Sequence, residues 1–305
     1  MTYKSKDGCS TNREAKPVFV VGCSRSGTTL VQSLLASGGE LVAFPETNVL
    51  YFAVDDLNYR RFGNLIGHRR LPGMLAKRLL NRIGLTLNFS WDVSLNNLPH
   101  ELRAHLSIGD DGRRWLIRSV LRDFHLMMES ATGGARWLEK TPQNIFVLDF
   151  IEKYYPNAQF VHVLRDPVAN IASLMDAAKK YPAFRSRFGG SNGLEKAIAY
   201  CKNARKISLS RHSSRKHFHV EYEKLTANLG LYLREMEFFL GLKKDTLRPV
   251  YDTQGITKPE EIWKQNREEV KTAESKENKL FSKQQIEEIR RQFAGEKEKI
   301  QAMQS

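Results

Sequence analysis

The apolar positions of this chain fall into short, strand-sized runs separated by helical stretches. Pro17-Val18-Phe19-Val20-Val21 is a β-rich run, followed by a glycine-bearing loop. Thr28 to Ala36 then has helical composition and ends at Gly38-Gly39, giving strand, loop and helix. Leu41-Val42-Ala43-Phe44 leads into Pro45-Glu46 as a second apolar run. From about Val54 to Leu106 the pattern predicts small helices broken at Gly63, Pro72-Gly73 and Pro99. Arg114 to Ser130 places Leu116, Ile117, Val120, Leu121, Phe124, Met127 and Met128 on one helical face, a core stripe.

Further strands are expected at Arg136 to Glu139, Gln159 to Leu164 and Phe218 to Glu221. Thr141-Pro142 and Asp166-Pro167 each pair a cap with a first-turn proline, predicting helices to Tyr155 and to Ala178. Lys179 to Gly193 has turn residues without a period and is expected to be a surface loop. A basic helix from Leu194 to Ser210, an amphipathic one from Thr226 to Leu240 and a charge-laced helical end from Ile262 complete the reading. Strands alternating with helices imply an α/β fold, a mostly parallel sheet covered on both faces. The expected organisation is a disordered lead-in at 1–16 and a single domain over 17–305. That domain carries a helical insert at about 54–106 and a helical extension at about 262–305.

Composition narrows this picture. A chain of 305 residues buries a full core, and no apolar run is long enough to read as a membrane span. Cys9, Cys23 and Cys201 are scattered and odd in number, which argues against a disulfide framework or zinc knuckle. With a polar N-terminus, they point to a reducing, cytoplasmic setting. The net charge of +14 predicts anionic partners. It is concentrated at about 60–82 and 179–216; Asp56 to Asp92 encloses no acid, and Asp176 to Glu221 encloses only Glu195. These tracts lack the aromatic interleaving of a single-strand platform, which argues against nucleic acid. They suit an acidic glycan or peptide, a membrane surface, or plain solvation.

The candidate chemistry begins at Gly22-Cys23-Ser24-Arg25-Ser26-Gly27-Thr28-Thr29. Two glycines five apart after a strand, with hydroxyls behind them, have the spacing of a P-loop, whose backbone N–H groups turn toward a phosphate. A nucleotide triphosphatase carries lysine directly after the second glycine; here that residue is Thr28, and the cation is Arg25.

On these residues the chain resembles the PAPS-dependent sulfotransferases (PAPS is 3′-phosphoadenosine 5′-phosphosulfate). The branch with Arg-Ser-Gly-Thr-Thr, which includes tyrosylprotein and many bacterial sulfotransferases, is most similar. Glu139-Lys140-Thr141-Pro142, Val161-His162-Val163-Leu164-Arg165-Asp166-Pro167 with Ser173, and Val220-Glu221-Tyr222-Glu223-Lys224-Leu225 match further family segments in order. The resemblance implies that Ser24, Arg25, Ser26, Gly27, Thr28 and Thr29 bind the 5′ end of PAPS. It places Arg165 and Ser173 on the 3′ phosphate and Tyr222 on the adenine, with Trp263-Lys264 as a late donor element.

Sulfuryl transfer to a hydroxyl or amine needs in-line positioning, a base and positive charge on the leaving oxygen. Arg25 and Lys140 are the expected cations. The steroid and phenol sulfotransferases use a histidine two residues after the lysine; here Pro142 stands there and cannot take a proton. Glu46 resembles the glutamate of the tyrosylprotein branch and is the expected base, with orientation of Arg25 as its alternative role. His125 and His162 are expected to be packed or solvated. No metal is required, and no His/Cys cluster offers a site. A P-loop phosphotransferase using ATP and a non-catalytic binder of anionic glycans remain as competing readings. The sequence does not speak to oligomeric state.

Overall fold

The computed structural model describes residues 16–53, 85–90, 98–106, 113–258, 261, 270 and 276–296. Its centre is β1 (Val18–Gly22), buried along its whole length. Helix α1 (Thr28–Ala36) and the edge strand β2 (Val42–Ala43) follow, then the short α2 (Val49–Tyr51). Strands β5 (Trp137–Lys140), β6 (Gln159–Leu164) and β7 (His217–Glu221) complete a five-stranded parallel sheet in the order β2-β5-β1-β6-β7.

A strand covered on both faces reads as an unbroken apolar run, and β1 is one. Phe19 and Val21 face one core cluster, Val18 and Val20 the other. The first cluster is closed by α4 (Ile117–Thr132), α6 (Pro167–Lys180) and α8 (Gly193–Leu209). The second is closed by α1 and α10 (Leu229–Leu240). Phe19 anchors the first face: Phe160 stacks on it, and the Trp137 and Tyr155 rings meet it at 5.5 Å.

Several elements depart from the sequence expectation. Within the segment expected to be helical, β3 (Leu85–Ser90) pairs antiparallel with β4 (Arg113–Leu116). Leu85-Thr86-Leu87-Asn88-Phe89-Ser90 alternates with period two, a strand signal that the helical reading passed over. Helix α4 therefore opens at Ile117, after that strand. The expected loop after Lys179 holds α7 (Pro182–Phe188), with proline in its first turn and Phe188 buried. Thr141 makes no cap bond; Pro142–Val147 is a 3₁₀ turn leading into α5 (Leu148–Tyr154). Asp166 does cap α6, its Oδ1 accepting from the Ala169 N–H at 3.0 Å. The expected helix at 226–240 is two, α9 (Tyr222–Ala227) and α10. Helix α3 (His100–Arg103) is short, and α11 (Glu277–Leu280) and α12 (Lys283–Gln292) lie in the expected extension. The tract at 60–82 and Trp263-Lys264 lie outside the described residues. Among the described residues no helix is long and apolar enough to cross a membrane.

Parallel register brings the carboxyl ends of the strands to one edge: Val20 aligns with Lys140, Gly22 with Val163, and Leu164 with Glu221. The loop after β1, Thr141, Arg165 and Tyr222 all emerge there, where open parallel sheets bind ligands.

Candidate active site

The loop after β1 is held from several sides. A Cβ on Gly22 would lie 2.6 Å from the Val163 carbonyl oxygen, so the strand exit admits no side chain. Gly27 has φ +104°, and a Cβ there would meet the Tyr222 ring at 2.4 Å. Arg25 adopts the left-handed region at φ 69°, a conformation that costs a non-glycine residue unless its surroundings fix it. Asn170 Nδ2 donates to the Ser24 carbonyl at 2.9 Å, and Ser24 Oγ is hydrogen-bonded to the Tyr200 hydroxyl at 2.9 Å. Thr28 is buried at the first position of α1, beside Thr29.

Arg25, Arg165, Ser173 and Tyr222 come together on one side of this loop. Arg25 Nε donates to Ser173 Oγ at 3.4 Å, and Arg165 Nη1 donates to the Arg25 carbonyl at 3.1 Å. The Arg165 guanidinium lies 4.8 Å over the Tyr222 ring, a cation–π contact. Burial lowers the Arg25 pKa, and the neighbouring Arg165 charge lowers it further. Among the described residues neither arginine forms an ion pair. Arg165 Nε and Ser26 Oγ are buried polar atoms without a hydrogen-bond partner. Each such group costs about 1–3 kcal/mol, which an anion would relieve. Two clustered cations and two orphaned donors fit phosphate.

On the other side of the loop, Lys140 at the end of β5 is 1% exposed and reaches Glu46 Oε1 at 2.6 Å. Its Nζ also donates to Thr29 Oγ1 at 3.3 Å, so the carboxylate, the ammonium and the start of α1 form one connected group. Glu139 organises the backbone around them. Its Oε1 accepts from Thr47 Oγ1 at 2.9 Å and Thr141 Oγ1 at 2.6 Å, and its Oε2 accepts from Asn144 Nδ2 at 2.6 Å. Thr141 Oγ1 in turn accepts from the Asn48 N–H at 3.1 Å. The segment carrying Glu46 is thereby tied to the strand end carrying Lys140. Burial raises the Glu139 pKa, opposed by these hydroxyl donors.

Residues 17–246 match the sulfotransferase family. The chain belongs to that family. Its five-stranded parallel sheet is shared with sulfotransferase-family folds. A curated relative, the nodulation protein NoeE of Sinorhizobium fredii (strain NBRC 101917 / NGR234), is 28% identical over 173 residues. That stretch covers 53% of this chain and 33% of the relative, so the chain spans only part of that protein's length. Among solved structures, the sulfotransferase domain from the Synechococcus PCC 7002 olefin synthase aligns with TM-score 0.54 at 18% identity, covering 95% of this chain and 98% of that one. The sulfotransferase domain from the curacin biosynthetic pathway aligns with TM-score 0.53 at 16% identity, covering 93% and 99%. At such identities the likeness is one of fold.

The candidate site thus brings Glu46, Lys140, Arg165, Ser173 and Tyr222 together with the loop after β1 at one edge of the sheet, while Trp263-Lys264 falls outside the described residues. It also contains residues whose place there the sequence reading did not give: Glu139 as a hub, Asn170 and Tyr200 behind the loop, and Arg205 behind Arg165. Asn170 sits three positions before Ser173 on the same helix, a spacing that could have flagged it. His162 is buried in β6 and bonded to Ser208 and His217, and His125 packs near Trp137 and Tyr155; both are packed, as expected. Among the described residues no cluster of three or more His, Cys, Asp or Glu side chains could hold a metal ion.

Proposed function

We propose that this sulfotransferase moves the sulfuryl group of PAPS to a hydroxyl or amine acceptor, with Glu46 as the base. The observation that carries the reading is the contact of Lys140 with both Glu46 and Thr29, which joins a proton acceptor and a cation to the phosphate loop. Ser24, Ser26, Gly27, Thr28 and Thr29 bind the donor's 5′ end, and the unpartnered Ser26 Oγ supports that role. Arg165 and Ser173 bind the 3′ phosphate; Arg165 Nε supplies a buried donor that no protein atom uses. Tyr222, already packed on Gly27 and on the Arg165 guanidinium, meets the adenine.

In the reaction, the bond between sulfur and the 5′-phosphate oxygen breaks as a bond from the acceptor oxygen or nitrogen to sulfur forms. The acceptor proton passes to Glu46, while Arg25 and Lys140 offset the charge left on the phosphate. Such transfers depend mostly on positioning and electrostatics. An acidic glycan or peptide acceptor is supported by Arg187, whose guanidinium lies 5.6 Å over the ring of the loop-bonded Tyr200.

Thermal stabilisation tests the donor. The product nucleotide PAP, without metal, should stabilise the protein by about 2.7 kcal/mol at a hundred times its Kd. Stabilisation by ATP with Mg²⁺ and none by PAP would favour the phosphotransferase reading, which Thr28 in the lysine position already argues against.

A further inference from the structure

Residues 276–296 lie beyond position 246, where the family match ends, yet they reach the donor side of the site. Ser282 opens α12 with a capping box, accepting from the Gln285 N–H while its own N–H donates to the Gln285 side chain. Ile286, Ile289 and Phe293 then insert into the core cluster that also holds α6 and α8. Both α11 and α12 pack on α6, the helix that carries Ser173. Lys276 Nζ bonds Asp176 Oδ2 at 2.6 Å, three residues past that serine. These contacts run a strap along the helix that forms one jaw of the clamp.

The strap's far end meets Arg205 on α8. Arg205 is 5% exposed, and its Nε donates to Glu296 Oε2 at 2.6 Å. Phe293 lies under its guanidinium at 5.9 Å. Its Nη1 donates to the Arg165 carbonyl at 2.7 Å. A buried guanidinium holds its place only while paired, because an unpaired buried charge is driven toward solvent. Glu296 therefore keeps Arg205 on the backbone of Arg165, whose own side chain is aimed by Arg25 and Tyr222.

We propose that Glu296 is a positioning residue of the donor clamp, acting through Arg205 on the backbone of Arg165. This rests on the reading of Arg165 as the ligand of the 3′ phosphate. It extends the site to a segment outside the family match and makes donor discrimination depend on that segment's docking.

The test compares binding of PAP and of 5′-AMP, which lacks the 3′ phosphate, to the full chain by calorimetry, with melting temperatures alongside. In Glu296→Ala, PAP should weaken about tenfold, the size of one charge-assisted hydrogen bond, while 5′-AMP affinity holds. Glu296→Gln keeps an acceptor for Arg205 Nε and should fall between that variant and the parent; it carries the same reading if Glu296→Ala fails to fold. Arg165→Ala sets the full loss of discrimination. An unchanged ratio of PAP to 5′-AMP affinity in the Glu296 variants, whatever their melting temperature, overturns the proposal, as does an equal loss for both nucleotides. A parent chain that binds the two nucleotides alike overturns the reading of Arg165 itself, and that result is visible before any variant is made.

Discussion

Glu46 and Lys140 meet at 2.6 Å, and this contact governs what a change at either residue does. Glu46→Gln keeps the side chain's shape and an oxygen for Lys140, but an amide takes no proton. Turnover should fall by about 10²–10⁴-fold, the usual contribution of a positioned base, while PAP binding is retained. Single-turnover rates and PAP calorimetry on the same preparation check this; near-normal turnover would sink the assignment of Glu46. At this scale the sequence was informative where the chemistry is local. Thr28 in the lysine position, Arg25 within the loop and Pro142 two residues after Lys140 are all visible as spacing. Asn170, Tyr200 and Arg205 were not, because their partners Ser24 and Arg165 lie 146, 176 and 40 residues away along the chain. In the sequence, Arg205 is one basic residue among many in a basic helix.

At the scale of elements, the site depends on how the segment after β2 sits against the end of β5. Glu139 joins the two: Thr47 donates to it from one side, Thr141 and Asn144 from the other. Thr47→Val removes one of these donors at nearly constant volume. The expected result is a fall in kcat of about tenfold with unchanged PAP affinity, since the lost hydrogen bond holds Glu46 and not the donor clamp. Equal losses of kcat and PAP affinity would instead place Thr47 in a general structural role. Elements whose signals are contained in a few residues were legible, such as the aspartate–proline start of α6 and the apolar run of β1. The pairing of β3 with β4 was not, since its period-two pattern sits within a stretch dominated by helical spacing. Helix α7 was hidden for another reason: at 7 residues it is too short for a period to declare itself, and Phe188 becomes an anchor only once α8 lies beside it.

For the whole molecule, the sheet brings together side chains that no local pattern relates, and one such group couples stability to pH. His162 in β6 lies between Ser208 of α8 and His217 of β7, at 3.0 and 2.8 Å, while His217 Nε2 lies 3.3 Å from Glu152 of α5. With both rings neutral, one hydrogen-bond chain satisfies them all: Ser208 donates to His162, His162 to His217, and His217 to Glu152. A proton added to His217 would go on Nδ1 and place two N–H groups on the shared 2.8 Å contact, while one added to His162 would go on Nδ1 and oppose the Ser208 hydroxyl that donates there. Burial is the largest cause lowering both pKa values, followed by the charge of His219; His162 falls well below its ordinary value and His217 to about 4. His219, stacked on His162 at 4.6 Å, is lowered by burial as well. Folded pKa values below the unfolded value of about 6.5 mean that the unfolded chain binds more protons. The stability these rings contribute is therefore present above that pH and is lost as pH falls toward about 4 for His217. Urea unfolding should show little change from pH 7.5 to about 6.5 and, from there to pH 5.0, a decline approaching about 1.4 kcal/mol per pH unit for each histidine that takes up its proton only on unfolding. His217→Gln should make that slope shallower by one proton. A flat profile, or an unchanged slope in the variant, would show that the buried rings do not set the molecule's response to acid.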